Sequence, residues 1–116
     1  MSQPSTHSRQ VRSAAWWLLA FFLASVVSAP AQLYWDLNGN GTAGTGANPT
    51  GTWATGSGSW NTNSAGTGGS IVNWSDWSDA VFSAGTNGKG SYTVTVSGTV
   101  GIASLTIQEG TPTFSW

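Results

Sequence analysis

Ser91-Tyr92-Thr93-Val94-Thr95-Val96 decides the fold. Tyr92, Val94 and Val96 alternate with Thr93 and Thr95, and in an extended chain that two-residue period puts the apolar side chains on one face and the hydroxyls on the other. β-Branched and aromatic residues suit such a pleated surface. The same pattern recurs on both sides. Ala80-Val81-Phe82-Ser83 precedes it, and Ala103-Ser104-Leu105-Thr106-Ile107 and Thr111-Pro112-Thr113-Phe114-Ser115-Trp116 follow. Leu105 and Ile107 repeat the alternation. Turn chemistry separates the runs, with an Asn-Gly turn in Thr86-Asn87-Gly88-Lys89-Gly90 and a Gly-bounded turn from Gly98 to Gly101. Strand starts spaced by roughly 8–12 residues suit a sandwich, a barrel or a β-solenoid. Nothing from residue 32 onward has a helical period, so the predicted class is all-β.

Further upstream the chain changes character. Residues 38–70 are built from Gly, Ser, Thr, Asn and Ala, with Trp53 and Trp60 their only large apolar side chains. Such a composition favours turns and disfavours regular helix. The contexts Gly51-Thr52-Trp53-Ala54-Thr55 and Ser59-Trp60-Asn61-Thr62 suit two brief strands joined by a Gly56-Ser57-Gly58 turn. A flexible linker has the same composition, but a linker has no use for two tryptophans seven residues apart.

The N-terminus reads as a secretory leader. Residues 1–13 carry Arg9 and Arg12 and no acid, residues 14–27 are apolar except for Ser25, and Ser28-Ala29-Pro30-Ala31 places small residues at the −3 and −1 positions of a cut after Ala31. The apolar run is shorter than the roughly 20 residues a spanning helix needs, so no stable membrane span is expected once the leader is removed. Three stretches result: a leader over 1–31, a Gly/Thr/Ser/Asn/Trp-rich segment with short strands over 32–79, and a β-strand repeat region over 80–116. The expected location is outside the cell or on its surface.

Charge and composition exclude several functions for residues 32–116. Lys89 stands alone against Asp36, Asp76, Asp79 and Glu109, so no basic surface exists to hold nucleic acid. There is no cysteine, although exported domains with thin cores usually rely on disulfides. Leu, Ile, Val and Phe together number thirteen in this stretch, and six tryptophans must supply much of the core.

The end of the sequence shapes the expected topology. Phe114-Ser115-Trp116 closes the chain in mid-strand with no polar cap. A solenoid needs about three coils and capped ends. The predicted architecture is therefore the start of a parallel β-helix whose further repeats lie downstream, with a small β-sandwich as the alternative.

Leu33-Tyr34-Trp35-Asp36-Leu37-Asn38-Gly39-Asn40-Gly41, then Gly51-Thr52-Trp53 with Ser59-Trp60-Asn61, then Ala80-Val81-Phe82-Ser83-Ala84-Gly85 and Tyr92-Thr93-Val94-Thr95-Val96 ahead of Ala103-Ser104-Leu105-Thr106-Ile107, resemble in order and spacing the N-terminal region of bacterial autotransporter-associated β-strand repeat proteins. The resemblance covers nearly all of residues 32–116. It implies a non-enzymatic structural module that opens a β-helical passenger, exported by a Gram-negative-type bacterium. The family-level expectation is an adhesion or matrix role, with surface glycans or matrix as partners.

Few residues could carry chemistry. Asp36, Asn38 and Asn40 followed by Gly41 fit the first half of a calcium loop, but the twelfth position is Ala47 where a bidentate Glu belongs, and an Asx/Gly turn is the preferred reading. Asp76, Asp79 and Glu109 are the carboxylates that could pair for acid/base work, or else cap turns. His7 lies in the leader, and residues 32–116 contain no His, Cys or Arg, so no base is present there to activate a Ser or Thr. No enzyme and no cofactor is expected. Trp53, Trp60, Trp74 and Trp77, near Asn and Asp, could form a glycan platform. The competing and preferred reading makes them the scarce core.

Overall fold

The computed structural model describes residues 25–116. The expected leader lies largely outside them, and Ser25–Ala31 is exposed and irregular. Among the described residues there is no helix, and none is long and apolar enough to cross a membrane. The strands are β1 (Gln32–Trp35), β2 (Gly51–Trp53), β3 (Trp60–Asn61), β4 (Ile71–Val72), β5 (Ser78–Phe82), β6 (Ser91–Val96), β7 (Ile102–Ile107) and β8 (Thr111–Ser115). They form two sheets, one ordered β4-β3-β1-β5-β7 and the other β2-β6-β8. The described part of the protein is all-β.

The four strands expected after residue 79 are present, but the turns between them do not make hairpins. β5 and β6 flank the Asn-Gly turn yet lie in different sheets. β1 pairs β5 and β5 pairs β7 in parallel, and β2 pairs β6 and β6 pairs β8 in parallel. Trp53 and Trp60 do sit on brief strands, but these too belong to different sheets. The 79/80 boundary expected from composition falls inside β5, and both sheets draw strands from either side of it. β3 departs from the parallel arrangement. It runs antiparallel to β1 through Trp35↔Trp60 and antiparallel to β4 through Trp60↔Val72, and so covers the outer edge of β1. The first bond of β1 comes from outside the strand, where Asp79 N donates to Ala31 O at 2.8 Å.

The core lies between the sheets. Leu33 and Trp35 of β1, Ala80 and Phe82 of β5, Trp53 of β2, and Tyr92 and Val94 of β6 are buried with Trp60 and Trp74. The alternation read in Ser91–Val96 holds, with Tyr92 and Val94 buried and Thr93 and Thr95 exposed. The aromatics interlock. Trp60 meets Trp35, Trp53, Trp74 and Phe82 at centroid separations of 5.2, 5.2, 4.6 and 5.3 Å, mostly edge-on or tilted. Such pairs add about 0.5–1.5 kcal/mol each beyond the area they bury. Trp35 donates its indole N–H to Pro49 O at 2.8 Å, while the N–H groups of Trp53, Trp60 and Trp74 meet no protein acceptor. Tyr92 donates to Glu109 O, and burial pushes its phenol up to about 12.

The last layer differs. Leu105 and Ile107 lie in register with Ala80 and Phe82, and Phe114 with Val94, so the inward rows continue into β7 and β8. Leu105 and Ile107 are nevertheless 41% and 49% exposed, because no strand of the described residues lies beyond them. The turns between strands pack backbone on backbone. Gly85, at a φ of +66°, sits where a Cβ would fall 2.5 Å from Gly44 Cα, so glycine is needed there for both its conformation and its size.

Trp60→Ala should remove the hub of the aromatic cluster and lower unfolding stability by about 3–5 kcal/mol, the range for a buried large aromatic. Trp60→Phe keeps a ring and removes an unpartnered N–H, so it should cost clearly less. Denaturant midpoints of the two variants against the parent measure this, and equal losses would mean that the ring contacts are not what holds the sheets.

Candidate functional site

Asp36 follows β1 directly and is buried, 1% exposed. Asn38 N donates to its Oδ1 at 3.2 Å, and the Asn61 amide, brought alongside by the β1–β3 pairing, donates to Oδ2 at 2.9 Å. The same Asn61 amide also reaches Asn40 Oδ1 at 3.4 Å, and Asn40 is otherwise committed to the 69–70 loop. Its amide donates to Gly69 O at 2.5 Å, and its Oδ1 accepts Gly69 N at 3.0 Å. The three calcium candidates thus form an Asx turn followed by a clamp on the 69–70 loop. One carboxylate among amides is a poor ligand set for a divalent ion, and no cluster of three His, Cys, Asp or Glu occurs among the described residues. Burial raises the Asp36 carboxyl above the usual 3.8, and the bonds from Asn61 and Asn38 only partly oppose that shift.

The remaining carboxylates go to separate partners. Asp76 Oδ1 accepts Gly101 N at 2.9 Å and the Thr55 hydroxyl at 3.5 Å. Asp79 Oδ1 accepts the Ser104 hydroxyl at 2.6 Å across the β5–β7 pair. Glu109 lies in the β7–β8 turn, with its backbone N–H on Phe82 O. No acid/base pair is assembled from them. Asp76 and Asp79 serve as turn and strand brackets, tying the β4–β5 connection and β5 to the layer that ends in β7.

The four tryptophans proposed for a glycan platform are not brought together on a surface. Trp53, Trp60 and Trp74 are core residues, because the thirteen aliphatic and Phe side chains cannot fill the space between two sheets. Trp77 alone among them is exposed, at 72%. Its φ of +69° is unusual for a bulky residue, and the conformation is held by its N–H on Gly101 O at 3.1 Å. Its indole edge lies over Gly101, where a Cβ would meet Cε2 at 3.3 Å. A bare indole face beside the Asp76 carboxylate and the Thr55 hydroxyl is what this corner offers.

Sequence reasoning missed one further feature. Asn87, read as a turn residue, accepts Thr45 N and Gly46 N on Oδ1 at 3.0 and 3.1 Å and donates to Ala43 O at 3.2 Å. It brackets a loop more than forty positions earlier in the chain. Beside it a shallow hollow of about 440 Å³ is lined by Ala43, Gly44, Ser64, Ala65, Gly85 and Thr86 together with Asn87 and Gln108. None of these side chains is charged.

The raised Asp36 pKa fixes the sign of a pH effect. Its contribution to stability is fully present below pH 3.8 and is lost as pH rises through the higher folded-state value. Denaturant midpoints measured from pH 3 upward should show that loss in the parent chain and lack it in Asp36→Asn. Parallel curves would place the pH dependence elsewhere.

Comparison of the chain with protein-family models, with curated proteins and with solved structures finds no match to any of the three. The likeness to autotransporter-associated repeat proteins rests on the sequence motifs alone.

Proposed function

We propose that the chain is a non-enzymatic structural module that opens a β-helical passenger of an exported bacterial surface protein, with adhesion or matrix contact as its role. The observation that carries this reading is the parallel pairing in both sheets. The chain passes from β1 to β2, from β5 to β6 and from β7 to β8, and each pass stacks in parallel on the one before. Inward rows such as Ala80–Leu105 and Val94–Phe114 run from layer to layer, as a solenoid requires. Scattered carboxylates without an assembled base suit a scaffold better than a catalyst.

In a diderm host the chain should be processed after Ala31, and mass spectrometry of the exported product should begin at Gln32. The coding sequence beyond Trp116 should continue as Gly-punctuated β repeats. Unprocessed protein retained in the cytosol, or a stop directly after Trp116, would overturn the reading.

The exposure of Trp77 favours a second reading, a secreted carbohydrate-binding module in which one indole stacks on a sugar face. Polysaccharide titrations followed by tryptophan fluorescence should then show a shift that Trp77→Ala abolishes. A glycan-dependent signal that survives this substitution, or no signal with any glycan, would remove Trp77 from that role.

A further inference from the structure

Trp77 is the only non-glycine among the described residues with a positive φ. A bulky aromatic side chain suits that backbone region poorly, and such conformations cluster at ligand sites. Packing does not account for it, since the indole is largely exposed while Trp74 of the same connection is buried. β5, which Trp77 precedes, is flanked by β1 on one side and β7 on the other, so this corner lies on the side of the stack and not at one of its ends.

Three loops meet at the corner. Gly101 N donates to Asp76 Oδ1 at 2.9 Å, and Trp77 N donates to Gly101 O at 3.1 Å. The Thr55 hydroxyl lies 3.3 Å from Thr99 O and 3.5 Å from Asp76 Oδ1. These bonds fix the carboxylate and the indole without saturating the carboxylate. Among the described residues no group donates to Asp76 Oδ2. Gly101 leaves a notch between the two side chains, for a Cβ there would stand 3.3 Å from Trp77 Cε2 and 3.4 Å from Asp76 Cγ. Its backbone is not left-handed, so the missing side chain provides room and not conformation. The setting is electronegative, with four carboxylates against one lysine in residues 32–116.

We infer that this notch binds an amino sugar with a free amine, its ring stacked on the Trp77 indole and its ammonium on the Asp76 carboxylate. The inference rests on the carbohydrate-binding reading above and adds a charge to the sugar. A cation beside an indole face is attracted by the ring as well as by the carboxylate. The acceptors at the notch, Asp76 Oδ2 and Thr99 O, call for N–H donors, which a primary ammonium has and a quaternary one lacks. One carboxylate is too few for a divalent metal ion. The bare indole offers a face as broad as a pyranose ring, wider than the thin chain of a lysine needs.

Isothermal titration calorimetry of the full chain with a glucosamine hexamer, and with the same hexamer fully N-acetylated, tests this. The free amine should bind several-fold more tightly than the acetylated sugar, and added salt should erode the difference. Asp76→Asn keeps an oxygen for Gly101 N and should abolish the preference with circular dichroism unchanged. Asp79→Asn removes the same charge farther along the chain and should preserve it. Gly101→Ala puts a methyl in the notch and should weaken binding of the free amine. Equal binding of the two hexamers, lost in Trp77→Ala, would overturn the amine assignment and leave the carbohydrate reading standing. Binding of neither would remove both. A lysine hexapeptide that binds as tightly as the glucosamine hexamer, or a preference that survives Asp76→Asn, would also overturn the inference.

Discussion

The structure depends on the burial of Trp35, Trp53, Trp60, Trp74 and Phe82 against one another. Two sheets packed face to face stand about 10 Å apart, and their side chains must fill that gap to interior density. With only thirteen Leu, Ile, Val and Phe residues between residues 32 and 116 and no disulfide, this part of the chain can do so only with indoles. Each indole is contributed by a different part of the chain. Trp35 ends β1, Trp53 ends β2, Trp60 opens β3 and Trp74 lies in the connection to β5. The cluster thereby holds together segments whose own composition would leave them disordered. The three core indole N–H groups without an acceptor are the cost of using tryptophan for bulk.

Small exported domains often rely on disulfides; this cysteine-free chain ties its corners with amide and carboxylate side chains. Asn87 ties the 43–46 loop, Asn40 and Asn61 tie the 69–70 loop and the Asp36 turn, and Asp76 ties the 101 corner. Each bracket joins turns far apart in sequence and adjacent in the stack. All but the Asn61–Asp36 side-chain pair satisfy backbone groups that strand pairing leaves free at the corners, an obligation that irregular chain must meet somewhere. The glycines at 44 and 85 let those corners approach closely enough for the brackets to reach.

Much of this was legible in the sequence and some of it was not. The strands after residue 79 could be read because alternation survives wherever one face is buried, as Tyr92 and Val94 show. Their pairing partners could not, since a turn such as Thr86–Gly90 serves a hairpin or a corner equally well, and only the register with β1 and β2 separates the two. β3 and β4, at two residues each, carry no period to detect. The Asp36 turn was readable from its Asx/Gly spacing, whereas the role of Asn87 lies in a contact more than forty residues away. Trp77 could be told from its neighbours only by its backbone, because Trp74 and Trp77 sit in nearly identical local sequence.

Under the proposed reading of residues 1–31 as a leader cut after Ala31, the bond from Asp79 N to Ala31 O bears on the order of events during export. The carbonyl it uses belongs to the peptide that a leader peptidase cutting after Ala31 must open. Such enzymes grip their substrate as an extended chain with its backbone groups available, and a formed β1–β5 pair withholds them. The cut and the first ladder rung therefore compete for the same few atoms. A chain that folds early protects its own leader, and a chain that is trimmed first starts folding one rung short. Maturation of such a protein would be timed by how long β5, some fifty residues later in the chain, takes to emerge.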